Sequence, residues 1–180
     1  MDADFIIELL GLEPLHDEGG WYRETYRSDD RLPRGKKLSA RYSTAKRFAT
    51  AIYYLITADT FSAMHRLSSD EVFHFYLGDP VLMLRLHPDG TGETLVLGSD
   101  LTGGHHPQLV VTRGTWQGMK LIGDGRFALL GTTVAPSFDR EDFELGDRAG
   151  LQETYPEYGE LIEQLTQTRK CKPFKKKEPL

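Results

Sequence analysis

Between residues 48 and 134 the chain repeats one device: a short run of apolar, β-branched and aromatic residues, then a cluster of turn formers. The runs are 49–56, 61–67, 71–77, 81–87, 93–97, 108–112, 116–121 and 126–134, with "TADT", "SSD", "GDP", "PDGTG", "GSDLTGGHHP", "RGT" and "GDG" between them. An earlier aromatic run, "WYRETYRS" from Trp21 to Ser28, follows the turn sequence "EPLHDEGG" and reads as another strand. Helical spacing occurs only near the ends. Phe5, Ile6, Leu9 and Leu10 form a stripe over 4–10 that Gly11 stops, and Leu161, Ile162 and Leu165 share a face in "YGELIEQLTQT". Many strands without helices between them predict an antiparallel sandwich or barrel with a short helix at each end.

Successive side chains of a strand face opposite sides, which sorts each run into two sets. Phe61, Ala63, His65 and Leu67 make an apolar set interrupted by one histidine. Glu71 shares a phase with Phe73, Phe75 and Leu77, and Gln117 shares one with Met119 and Leu121. Three polar groups, His65, Glu71 and Gln117, therefore fall on otherwise apolar faces. Burying such groups without partners costs on the order of several kcal/mol. A satisfied core His–Glu pair is the plain structural reading. Three polar groups in one phase favour a pocket instead, with Phe73, Phe75 and Met119 among its walls.

Composition narrows the class. At 180 residues, with 39% hydrophobic and 27% charged residues, the chain suits one domain, which we place at 1–168. No apolar run approaches the ~20 residues of a membrane-spanning helix. Acids stand where a secretory signal would carry positive charge, so the expectation is a cytoplasmic protein without a membrane partner. A lone cysteine, Cys171, excludes a disulfide framework and a Cys-based zinc site.

The net charge of -5 argues against a nucleic-acid partner, yet it sums unlike segments. Residues 23–47 carry nine Lys or Arg against three acids, 48–168 carry seven against seventeen, and 169–180 six against one. The last segment reads as a basic, disordered tail. In the basic belt, Arg23 and Arg27 share one phase of the 21–28 strand with Trp21 and Thr25. At the mouth of a barrel that pair would hold phosphate through bidentate hydrogen bonds, and Trp21 or Tyr22 would stack on a base. The plainer reading is an exposed strand edge kept soluble by basic side chains.

These residues also carry a resemblance to the cupin superfamily. The first cupin motif (His, one residue, His, three or four residues, Glu, six residues, Gly) is met by His65, Glu71 and Gly78, with Leu67 at the second His position. The second (Pro, one residue, Gly, two residues, His) falls on Thr112, Gly114 and Gln117, so its Pro and His are both replaced. More specifically, the chain resembles the cupin branch known only as a domain of unknown function, akin in fold to dTDP-sugar epimerases. The matching stretches are "EGGWYRETYRS", "TAIYYLIT", "FSAMHRLSSDEVFHFYLGDP", "LTGGHHPQLVVTRGTWQGMKL" and "VAPSFDREDFEL". The resemblance implies an all-β, cupin-type double-stranded β-helix (a jelly-roll barrel) with short N- and C-terminal helices, an internal cavity and a homodimer. It implies no settled reaction.

Metal-dependent cupins usually offer two or three His and a Glu, ligands at ~2.0–2.2 Å from the ion. Here only His65 and Glu71 remain, with Gln117 a weak neutral ligand, so no cofactor is firmly implied; a divalent metal, if bound, would use these three. His65 beside Glu71, or beside Asp139 or Asp142 of "FDRED", suits proton abstraction next to a carbonyl, with Tyr53, Tyr54 or Tyr76 returning the proton. His74 and Trp116 are out of phase with this set, and His16, His87, His105 and His106 sit at turns without evident partners. The expected function is binding of a small polar or phosphorylated metabolite, of the nucleotide or nucleotide-sugar class, with isomerase or epimerase chemistry through His65. The alternatives are a metal-dependent cupin enzyme and a non-catalytic small-molecule-binding protein.

Overall fold

The computed structural model describes residues 2–32, 42 and 45–166. The 169–180 tail and, within the basic belt, residues 33–41, 43 and 44 lie outside the described residues. Helix α1 (Ala3–Leu10) begins where Asp2 accepts the Phe5 N–H on its side chain, and ends at Gly11 in the left-handed conformation. Strands follow as β1 (Glu13–Pro14), β2 (Trp21–Arg27), β3 (Thr50–Thr57), β4 (Ser62–Leu67), β5 (Asp70–Gly78) and β6 (Val81–Leu86). Next come β7 (Gly92–Leu97), β8 (Gln108–Val111), β9 (Trp116–Leu121), β10 (Phe127–Ala135) and β11 (Phe143–Leu145), then α2 (Arg148–Thr154) and α3 (Gly159–Gln164).

The strands form two antiparallel sheets, ordered β1-β2-β3-β10-β5-β8 and β11-β4-β9-β6-β7. Every run read from the sequence is a strand. The additions are β1 and β11, two and three residues long and too short to show a period, and α2, whose seven residues include one large apolar side chain, Leu151.

Three apolar layers hold the sheets. Between them lie Tyr54, Phe73, Met83, Met119 and Leu130, all 0–1% exposed, with Phe75 packed alongside. Outside the five-stranded sheet, α2 and α3 cover Met64, Leu84 and Leu86 with Leu151, Tyr155 and Ile162. Outside the six-stranded sheet, α1 sets Ile6 on Leu55, Phe127 and Leu129, and Trp21 packs into that cluster.

One irregularity redirects the basic belt. Glu24 pairs with Ile52 and Tyr26 with Ala51, so Thr25 is an extra residue in β2. A bulge of this kind reverses the alternation beyond it. Tyr22 and Glu24 point inward before the bulge and Arg27 points inward after it, whereas Trp21, Arg23 and Tyr26 take the outer side.

Candidate functional site

His65 lies opposite Gln117 where β4 pairs with β9, and Glu71 lies opposite Val134 where β5 pairs with β10. The first two belong to one sheet and Glu71 to the other, so the three meet across the sandwich. The His65 Nδ1 is 2.7 Å from the Ala63 carbonyl, which can only accept, so Nδ1 carries a proton and, in the neutral imidazole, Nε2 is the acceptor. The Gln117 amide nitrogen lies 3.2 Å from that Nε2 and donates to Glu71 Oε2 at 2.5 Å. Gln117 Oε1 is buried without a partner among the described residues. Burial lifts the Glu71 carboxyl from its ordinary 4.5 to about 7, against the opposing pull of His65 and of hydrogen bonds from Gln117 and Thr132; the nearby Glu18 adds to the rise.

His65 and Glu71 line a cavity of about 310 Å³. Leu15, Ile52, Leu67, Val134, Phe138 and Phe143 supply its apolar walls, and Asp17, Glu18, Glu24, Arg27 and Arg140 its charges. The Phe143 ring stacks on His65 at 5.1 Å and 22°. Neither arginine waits unpaired. Arg27 grips Glu24 through Nε and Nη2, the closer contact at 2.6 Å, and lies 3.8 Å from Asp139. Arg140 pairs with Asp17 at 2.9 Å. The loop carrying Phe138 and Arg140 is anchored by buried Lys46, which donates to Asp139 at 2.7 Å and to Asp142.

Several expectations are corrected by this geometry. Trp21 and Arg23 lie outside the cavity because they alternate with inward Tyr22 and Glu24, and the Thr25 bulge parts them from Arg27; Arg23 sits over the Tyr53 ring at 5.7 Å. Phe73, Phe75 and Met119 are core residues rather than pocket walls: their rows are filled from both sheets, and open space begins one step further along β5, at Glu71. Asp139 and Asp142 are committed to Lys46 instead of His65. Tyr53 and Tyr76 meet edge-to-face at 6.2 Å away from the cavity, and Tyr54 is a core residue donating to the Gly19 carbonyl at 2.9 Å. His87 does have a partner, Glu93, at 3.0 Å.

The sequence reading missed Asp17, Glu18, Glu24, Arg140 and Phe143 as cavity residues. For Glu18 a signal was present: an acid directly before the Gly19–Gly20 pair, where the backbone is free to press closely on a neighbouring strand.

The donor set does not fit the divalent ion of metal-dependent cupins. Leu67 carries no ligand atom, and an amide nitrogen bridges His65 and Glu71. Among the described residues no three His, Cys, Asp or Glu side chains converge on a point where an ion would sit.

Two facing antiparallel sheets in this order, with a histidine and a carboxyl directed into a cavity between them, define a cupin-type jelly roll. The sequence matches the Cupin_5 family model, "Cupin superfamily (DUF985)", over residues 4–146, and the chain belongs to that family. Its fold is similar to that of a crystallised protein from Shewanella oneidensis, with 32% identity over 94% of this chain and 99% of that one, TM-score 0.80. A hypothetical protein from Leishmania major is similar too, at 28% identity, 93% and 100% coverage and TM-score 0.82. The oxalate decarboxylase of Bacillus subtilis shares the fold alone, at 12% identity, 90% and 39% coverage and TM-score 0.50. No curated protein gives a significant sequence match. Among the described residues no helix is long and apolar enough to cross a membrane.

Proposed function

We propose that the cavity binds a small hydroxylated carbonyl metabolite and that His65 moves a proton on it. The observation that carries this is the buried His65–Gln117–Glu71 network on the cavity wall, with an acceptor nitrogen and a carboxyl that titrates near neutrality. Charge and size support an uncharged ligand of monosaccharide scale over the nucleotide class suggested by the basic belt. Both arginines are already neutralised by wall carboxylates, which a phosphate would have to displace. The volume of about 310 Å³ is at the low end of the roughly 300–1,000 Å³ of small-molecule pockets. Binding without turnover is the second reading, favoured by the Gln117 amide that already engages both His65 and Glu71.

A thermal-shift panel of unphosphorylated sugars and nucleoside mono- and diphosphates tests the ligand class. Sugars should raise the melting temperature and nucleotides should leave it unchanged; the reverse pattern removes the proposal. For the chemistry, His65→Ala should slow exchange of the substrate C–H proton with D2O by roughly 100- to 10,000-fold while binding weakens less than tenfold. Binding with no exchange in the wild type selects the second reading.

A further inference from the structure

We propose that Glu18 is a second catalytic residue, and that together with His65 it fits the cavity for 1,2-proton transfer, interconverting an α-hydroxy aldehyde and the corresponding ketone. This rests on the proton-transfer reading of His65 and specifies its reaction class.

The placement of Glu18 begins in the sequence Glu18–Gly19–Gly20. Both glycines have positive φ, 103° and 73°, and a Cβ on Gly19 would collide with the Phe61 carbonyl oxygen. A Cβ on Gly20 would stand 2.7 Å from the Leu55 carbonyl oxygen. Only glycine lets the turn press this closely onto β3 and the start of β4. The turn is then sewn down: the Ala63 N–H donates to the Glu18 carbonyl at 2.8 Å, and the Tyr54 hydroxyl to the Gly19 carbonyl at 2.9 Å. The Glu18 side chain is fixed as well, because the Ser62 hydroxyl donates to its Oε1 at 2.7 Å. Its Oε2 lies at the cavity wall, 4.0 Å from His65 Nε2.

That separation is too long for a hydrogen bond between the two groups. It suits two groups that address neighbouring atoms of one ligand. Both also stand on the same side of the cavity, His65 on β4 and Glu18 held to β4 through Ser62 and Ala63. Inversion at a single carbon calls for an acid and a base on opposite faces of that carbon. Transfer between adjacent carbons on one face needs them side by side, which is the arrangement present.

The step balances without a cofactor. His65 Nε2, once the substrate displaces the Gln117 amide from it, takes the proton from the hydroxyl-bearing carbon. The freed C–H electron pair becomes the C=C bond of an enediolate while the carbonyl π pair moves to its oxygen. Glu18 accepts the hydroxyl proton and passes it to the former carbonyl oxygen. The C=C pair then recovers a proton from the imidazolium at the neighbouring carbon, and the second oxygen becomes the carbonyl. Both side chains finish as they began.

The test uses the full chain in D2O, with glyceraldehyde and the unphosphorylated aldopentoses and aldohexoses as probes, followed by proton NMR. The wild type should convert at least one aldose to its 2-ketose with deuterium appearing at carbon. Glu18→Gln should slow interconversion by roughly 100- to 10,000-fold, while loss of the C2 proton slows at least tenfold less. His65→Asn should lose both. Glu18→Asp keeps the charge but withdraws it by one methylene, and should fall between wild type and Glu18→Gln; it serves if Glu18→Gln fails to fold. Interconversion at the wild-type rate in Glu18→Gln, or a C2 epimer formed without ketose, overturns the role of Glu18 and leaves His65 as the base. Exchange with none of the probes overturns both, and the sugar thermal shifts then show whether binding remains.

Discussion

Replacing Lys46 by methionine should cost about 3–5 kcal/mol of folding stability, the range for breaking a buried ion pair from one side. Lys46 is 3% exposed, and Asp142, one of its two partners, is 7% exposed. Burial alone would push the Lys46 ammonium down; its bonds to Asp139 and Asp142 more than offset this and hold it above its ordinary value. Without the ammonium, a buried carboxylate is left to face its own desolvation. A urea titration should show the midpoint falling with the slope unchanged. Lys46→Met combined with Asp142→Asn should recover part of the loss, since the stranded charge is gone. A cost below about 1 kcal/mol would class the pair with ordinary surface ion pairs. The same variant should also weaken ligand binding, because Asp139 and Asp142 lie in the segment that brings Phe138, Arg140 and Phe143 to the cavity.

Stability should also fall as pH rises from about 4.5 to about 7, which is the second large effect. The Glu71 carboxyl goes from 4.5 when exposed to about 7 in the folded state, so folding favours its protonated form. Below pH 4.5 the group is protonated whether the chain is folded or not, and its stabilising contribution is fully present. Between 4.5 and 7 the unfolded chain ionises first and stability declines; above 7 the contribution is lost. At about 1.4 kcal/mol per unit, the whole decline is on the order of 3 kcal/mol. Glu71→Gln cannot ionise and still accepts from the Gln117 amide. Its urea midpoint should vary less with pH over this window and exceed the wild-type midpoint at pH 8. Parallel pH profiles for the two proteins would show that Glu71 is not the group responsible.

Most of the architecture was legible because it is written in period-2 runs bounded by turn residues, and each such run became a strand of β2 to β10. The site was legible only in part. Phase alone placed His65, Glu71 and Gln117 on inward faces, but their meeting depends on how two sheets face each other, which periodicity within one strand does not encode. Phe73 and Met119 share that inward phase and still went to the core, because phase cannot distinguish a filled row from an open one. The belt misled for two separate reasons. A single extra residue, Thr25, put Arg23 and Arg27 on opposite faces. Lys46, read as solvated charge, is a buried anchor, and Arg47 donates to the Ser28 carbonyl at 2.7 Å. Charge counts locate basic residues along a chain without saying which acids will meet them.

Carbon-13 NMR of the Glu71 side-chain carboxyl, followed from pH 3 to pH 9, tests most directly whether this jelly roll holds an acid–base cavity. A buried carboxyl in contact with Gln117 and close to His65 should titrate with a midpoint of about 7. A midpoint at the ordinary 4.5 would contradict the account.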